Sequence, residues 1–242
     1  MKNQYFGDEN DYKKYGILRG LSNAFPDGIA ICWMLTPNDE RHTGEFRDYL
    51  NKPEKWRRHD IALYDALQGC QREKALRSLS LAKDALGIPP AVFYEPELKP
   101  DVGERESYFK DFMDKAGDCG LLFFDPDKGL APKRMQKGLK ESSGYLFWDE
   151  LEGFYSRKLH SILIYQHFTR QSRLVFIAEK VARLLVDTGA PEVYSLRTNR
   201  MVYFLIAQPQ HSAGIERACQ TIAKQWTPHV EIWQHPQPRK VG

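Results

Sequence analysis

The chain has no pair of cysteines at metal-binding or disulfide-motif spacing. Its four, Cys32, Cys70, Cys119 and Cys219, are scattered along 242 residues, a pattern that suits reduced, buried thiols and speaks against a disulfide scaffold or structural zinc. Apolar runs such as Gly28 to Leu35 and Gly120 to Phe124 fall far short of the roughly 20 residues that cross a bilayer, so no membrane partner is expected. Strong charge is missing too: a net charge of +3 with 28% charged residues neither demands nor excludes an anionic partner. The segment Met1 to Asp8 carries acidic side chains and no apolar stretch with a small-residue cleavage site, which predicts a cytoplasmic protein. GxGxxG, Walker A, HExxH and GxSxG sequences are all absent, removing the usual support for dinucleotide binding, P-loop chemistry, zinc proteolysis and lipase-type catalysis.

What is present is 42% hydrophobic and 12% aromatic residues, enough for one large core, so residues 1–242 are expected to form a single α/β domain. Helical spacing runs from Asp11 to Leu21, from Asp60 to Leu67, over Glu73 to Leu86, Arg105 to Ala116, Phe147 to Tyr155, Gln171 to Val186 and Ala213 to Gln225. Continuous apolar runs of strand length occupy Gly28 to Leu35, Ala91 to Tyr94, Gly120 to Phe124, Ser161 to Tyr165, Val193 to Leu196, Met201 to Ala207 and Val230 to Trp233. Their alternation predicts a mostly parallel sheet with helices on both faces and an antiparallel hairpin near the C-terminus, turning at Thr198-Asn199-Arg200. Residues 128–144 are expected to be a flexible basic loop and 235–242 a tail.

In open α/β sheets, ligands bind beyond the carboxyl ends of the strands. That rule selects Thr36 to Asp39, Asp125 to Gly129 and Gln166 to Arg170. The sharpest of these is Asp125-Pro126-Asp127-Lys128-Gly129, two carboxylates on a proline-stiffened turn, able to bind a metal, orient an amine or accept a proton; the same residues also make an ordinary turn. Gln166 and His167 can hydrogen-bond a base edge, and Arg170 and Lys128 can hold a phosphate. Asp8 and Asp11 open a helix, where acidic residues complement the dipole, with Lys14 one turn further on. One pocket lined by Lys14, Thr36, Asp39, Asp125, Asp127 and His167 is predicted.

The phrases Phe6-Gly7-Asp8, Asp11, Lys14-Tyr15-Gly16, Lys52-Pro53-Glu54-Lys55-Trp56-Arg57, Asp125-Pro126-Asp127 with Gly129, and Tyr165-Gln166-His167 with Arg170 resemble an uncharacterised family of bacterial proteins. Gly7, Asp11, Lys14 and Tyr15 also resemble the opening Gly-x-x-x-Asp-x-x-Lys-His helix of the bacterial methyltransferase that modifies an adenine N6 in large-subunit ribosomal RNA. Gly44-Glu45 and Gly120 to Pro126 are similar in order to that family's Gly-Glu pair and Asp-Pro-Pro-Tyr strand end, and the three-Cys-motif partner proteins have a related layout. The glycine-rich cofactor turn is replaced by Thr36-Pro37-Asn38-Asp39, and Asp127-Lys128 stand where that family has Pro-Tyr.

The resemblance implies a class I methyltransferase-like fold, with the strands ending at Leu35 and Phe124 adjacent or nearly so, and an enzyme acting on nucleic acid or a nucleotide. Its reaction would be transfer from S-adenosylmethionine to a base amine, with Asp125 accepting from the amine, Asp127 and His167 beside it, and Lys14 and Tyr15 lining the site. The cofactor would meet Tyr15, Thr36, Asp39 and Glu95. A second reading is a Mg²⁺-dependent phosphodiesterase or nuclease in which Asp8, Asp11, Asp125 and Asp127 gather metal ions. A third is a non-catalytic nucleic-acid-binding module that kept the fold and lost the cofactor loop. The sequence leaves the oligomeric state open.

Overall fold

Successive side chains of a strand leave opposite faces of the pleated sheet, so a fully apolar strand must be covered on both sides. In the computed structural model, which describes residues 1–38, 46–70, 83, 86–88 and 91–238, every residue of β1 (Ile29–Cys32) is buried. Ile29 and Ile31 join one core with Trp33, while Ala30 and Cys32 join a second with Met34. The strands β2 (Ala91–Tyr94), β3 (Leu121–Phe124) and β6 (Ser161–His167) lie parallel to β1. They sit among two short strands, β4 (Gly129–Leu130) and β5 (Tyr145–Leu146), and the later β7 (Glu192–Arg197), β8 (Met201–Ile206) and β9 (Glu231–Pro236). Among the described residues the main sheet has seven strands in the order β2-β1-β3-β6-β8-β7-β9.

The first core is closed by α1 (Glu9–Ser22), the single turn α2 (Pro53–Trp56), α3 (Ile61–Cys70) and a later helix, Ser212–Gln225. The second is closed by α4 (Val102–Ala116), α5 (Trp148–Tyr155) and α6 (Arg173–Thr188); the helix Ser212–Gln225 is α7. Helix α1 starts where the Asp8 carboxylate accepts the backbone N–H groups of Asn10 and Asp11, both at 2.8 Å, satisfying donors that the first turn cannot. Gly16 and Gly20 then let α1 press on α7: a Cβ on Gly16 would enter the Trp226 ring, and one on Gly20 would enter Ile222.

The predicted hairpin is β7–β8, paired from Val193–Ile206 to Arg197–Val202. Strand β8 inserts antiparallel between β6 and β7, so β7 runs in the direction of β6. The turn after β7 therefore reaches the same sheet edge as the carboxyl ends of β1, β3 and β6. That direction matters more for the site than the hairpin itself.

Residues 128–144, expected to be a flexible basic loop, contain β4, which pairs with β5, and carry ion pairs from Lys128 to Glu141 and from Lys137 to Asp149 and Glu150. The final strand continues through Pro236 against Glu192, two residues into the expected tail, because β7 offers a backbone partner there. Asp39, Gly44, Glu45 and most of the predicted helix Glu73 to Leu86 lie outside the described residues. Among those described, no helix is long and apolar enough to cross a membrane.

Candidate functional site

The chain leaves β1 toward β2 on one side of the sheet and leaves β3 toward β6 on the other, so the crevice between β1 and β3 is the topological switch point. Paired in register from Ile29–Leu121 to Cys32–Phe124, the two strands deliver Met34 and Asp125 to that crevice together. Met34 takes a left-handed backbone, with φ 46°, a conformation that costs a non-glycine residue and is retained only where its surroundings enforce it. Met1 fills the space. Its ammonium donates to the carbonyls of Met34 (3.2 Å) and Asp125 (3.0 Å) and pairs with Asp127 Oδ1 at 2.7 Å, while its own carbonyl accepts from Thr36 N–H at 3.0 Å.

Beside the crevice lies a cavity of about 620 Å³. Its inner wall, the buried part of the lining, comes from Asp8 at the cap of α1, Asp11 and Lys14 of α1, and Asp125 and Tyr165 at the ends of β3 and β6. Its mouth, where the lining is half-buried or exposed, is formed by Lys2, Tyr5, Asn10, Phe46, Lys128, His167, Arg173, Asn199 and Arg200. One helical turn separates Asp11 from Lys14, which puts both on the face of α1 that lies over the strand ends.

Lys14 is the centre of the inner wall. Only 2% exposed, it holds Asp11 Oδ1 and Asp125 Oδ2 at 2.7 Å each, and its third donor faces Met1 Sδ at 3.6 Å. The rings of Tyr15, Trp33 and Tyr165 stand 5.4, 5.4 and 5.7 Å from its nitrogen. Burial alone would lower its pKa, but the charges and hydrogen bonds of Asp11 and Asp125 outweigh that and raise it, so the ammonium is permanent. Asp125 Oδ1 takes no hydrogen bond among the described residues. It is an open acceptor, and the two cations beside it, the Lys14 and Met1 ammonium groups, have their donors engaged.

The remaining carboxylates differ in environment. Burial, helped by the neighbouring charge of Asp11, pushes Asp8 up to about 7, and burial also raises Asp125 against the pull of Lys14. At Asp127 burial acts in the same direction, but the Met1 ammonium overcomes it and holds the carboxyl below its usual range. His167 Nε2 meets the Tyr165 hydroxyl at 3.1 Å, and the crowding of the cavity wall lowers its pKa, leaving a neutral imidazole at neutral pH.

Lys14, Asp125, Asp127 and His167 are brought to one cavity, together with Asp8, Asp11 and Lys128. Other predicted residues are used elsewhere. Thr36 lies outside the cavity wall, its hydroxyl bound to Asp127. Tyr15 is wholly buried and donates to Asp11 Oδ2 at 3.1 Å. Glu95 follows β2 but pairs with Lys83 at 3.5 Å and does not line the cavity. Gln166 is structural: its Oε1 accepts from Leu130 N–H at 2.8 Å, and its Nε2 donates to the carbonyls of His167 (2.9 Å) and Lys128 (3.3 Å). The glycine of the Asp-Pro-Asp-x-Gly turn has φ 88°, and a Cβ there would strike this Gln166 amide. Arg170 stays outside the cavity wall.

Of the residues expected to meet S-adenosylmethionine, Tyr15 and Thr36 are hydrogen-bonded elsewhere, Glu95 keeps Oε1 buried without a hydrogen-bond partner, and Asp39 lies outside the described residues, while the Met1 ammonium lies in the switch-point crevice. Among the described residues no group of three or more His, Cys, Asp or Glu side chains is disposed to hold a metal ion, and the Lys14 ammonium stands where a cation bridging Asp11 and Asp125 would sit.

Sequence reasoning missed Tyr5, Phe46, Arg173, Asn199 and Arg200. The hairpin turn was legible; its position on the ligand edge required knowing that β8 enters antiparallel. Tyr5, Phe46 and Tyr165 bring aromatic rings to the cavity from three different segments. Compared with known proteins, the chain matches no family model, no curated protein and no solved structure.

Proposed function

We propose that the cavity binds a nucleotide, free or within a strand, and reads the exocyclic amine of its base at Asp125. The protein acts as a nucleotide-recognition module on a methyltransferase-like sheet whose cofactor crevice is filled. The observation that carries this is the Asp125 carboxylate: buried, held in place by Lys14, and left with one unbonded oxygen facing a ligand-sized space. A base amine is a donor that satisfies such an acceptor, and the rings of Tyr5, Phe46 and Tyr165 line the space in which a base would stack.

A second reading keeps the reaction. Parallel pairing of β1 with β3, and an antiparallel hairpin at the C-terminal side of the sheet, support a methyltransferase-like ancestry, and an acceptor at the end of β3 suits methyl transfer to an amine. The two readings part over S-adenosylmethionine. Calorimetry is expected to give heat with adenosine monophosphate and none with S-adenosylmethionine at millimolar concentration; heat from the latter would move the assignment to methyl transfer. Asp125→Asn, with its fold checked by circular dichroism, is expected to bind adenosine monophosphate about tenfold more weakly, in the range of a charge-assisted hydrogen bond. Unchanged affinity would remove Asp125 from the recognition site.

A further inference from the structure

The cavity is electrically divided. Its buried carboxylates, Asp8, Asp11 and Asp125, lie with the buried Lys14 and Met1 ammonium groups, whereas Lys128, Arg173 and Arg200 are exposed toward the mouth. Two of these, Arg173 and Arg200, have no carboxylate partner among the described residues. Arg19, Arg57, Arg105, Arg183 and Arg197 each pair with an aspartate or glutamate; of the described arginines without such a partner, Arg173 and Arg200 are the two that line the cavity.

Both guanidinium groups are placed by an aromatic ring. Arg200 stands over Phe46 at 3.5 Å from the ring centroid, and Arg173 over Phe168 at 5.0 Å; Phe168 is itself packed against Phe176. The turn that carries Arg200 is pinned. The Thr198 hydroxyl accepts the N–H groups of Arg200 (3.3 Å) and Met201 (3.1 Å), and Asn199 Oδ1 accepts from the buried Lys13 at 3.0 Å. Stacking occupies the face of a guanidinium and leaves its N–H edge open, the geometry that takes two oxygens of a phosphate at once. Fixing both groups beforehand reduces what binding must order.

From this we infer that Arg173 and Arg200 form a phosphate subsite at the mouth of the cavity. It orients a nucleotide with its base amine inward at Asp125 and its phosphate outward. The charge division forbids the reverse orientation, since a phosphate among Asp8, Asp11 and Asp125 would be repelled. The inference rests on the cavity being a nucleotide site and adds which end of the ligand goes where. A phosphomonoester of a free nucleotide and a phosphodiester in a strand share this chemistry.

The test compares four probes: adenosine, adenosine 5′-monophosphate, a 12-residue oligoadenylate and inorganic phosphate. They are titrated into the full chain and into Arg173→Ala, Arg200→Ala and the double variant; both residues are exposed, so folding is not at risk. Adenosine monophosphate or the oligonucleotide is expected to bind at least tenfold more tightly than adenosine. Each single variant should erase most of that advantage, the double variant all of it, and Arg→Lys should restore only part. Preference for the monophosphate marks a free-nucleotide site, and preference for the oligonucleotide a strand site. Variants that bind like the native chain would overturn the subsite and leave the nucleotide reading intact. If no nucleoside or nucleotide binds but inorganic phosphate does, in an Arg173- and Arg200-dependent way, the nucleotide reading fails and the anion subsite remains. Binding of none of the four would overturn both.

Discussion

Asp8 shows how a single residue can serve the fold and strain it together. Its carboxylate caps α1, yet it is 5% exposed beside Asp11, and burial followed by that neighbour raises its pKa from 3.8 to about 7. The folded state thus holds a proton between pH 4 and 7 that the unfolded chain has released. The stabilising contribution is complete below about pH 4 and is lost as pH rises through 7. Asn caps a helix about as well as Asp. Asp8→Asn is therefore expected to raise the melting temperature by about 5 °C at pH 8 and to change it little at pH 5. Thermal melts across pH 4 to 9 check this. Equal effects at both ends would mean that the carboxyl does not titrate there. A buried carboxylate kept at a cost to stability fits a side chain retained for a ligand.

At the scale of elements, the opening helix connects fold to site. Lys14 reaches Asp125 only because α1 lies close against α7, and that closeness depends on Gly16 beneath Trp226 and Gly20 beneath Ile222. Gly16→Ala improves intrinsic helix propensity by close to 1 kcal/mol but overpacks the interface by about 1–3 kcal/mol. A net loss of stability in urea unfolding is expected, with weaker ligand binding as α1 shifts. A stabilised Gly16→Ala would show that the α1–α7 contact is looser than the packing indicates. The periodicity of α1, the buried runs of β1 and β3, and the turn after β7 could all be read from the sequence, because each is a local pattern of apolar and turn-forming residues. The partners of Gln166, the insertion of β8 and the crossing of α1 over α7 could not, since they depend on which distant segments meet.

The whole molecule gathers its chemistry on one edge of the sheet. Asp125, Asp127 and His167 were legible there because the carboxyl ends of parallel strands share an edge, and Lys14 because it lies one turn beyond Asp11. The filling of the switch-point crevice by Met1 was not, as no local pattern announces what occupies a space between two strands. Nor were Arg173 and Arg200, which reach the mouth from a helix start and an antiparallel turn. On the proposed reading the cavity, with an acceptor inside and guanidinium groups outside, would distinguish ligands by the sense of their hydrogen bonds. Lys14 has all three donors engaged, so the cation beside the Asp125 acceptor has no donor left for a carbonyl. Adenosine and inosine monophosphates differ there by an amine against a carbonyl. A site built to accept a hydrogen bond penalises the ligand that lacks the donor. Calorimetric titration of both at pH 8, where Asp8 is largely ionised and offers no proton of its own, is the most direct test. Adenosine monophosphate is predicted to bind at least tenfold more tightly, and equal affinity, or tighter binding of inosine monophosphate, would contradict amine recognition at Asp125.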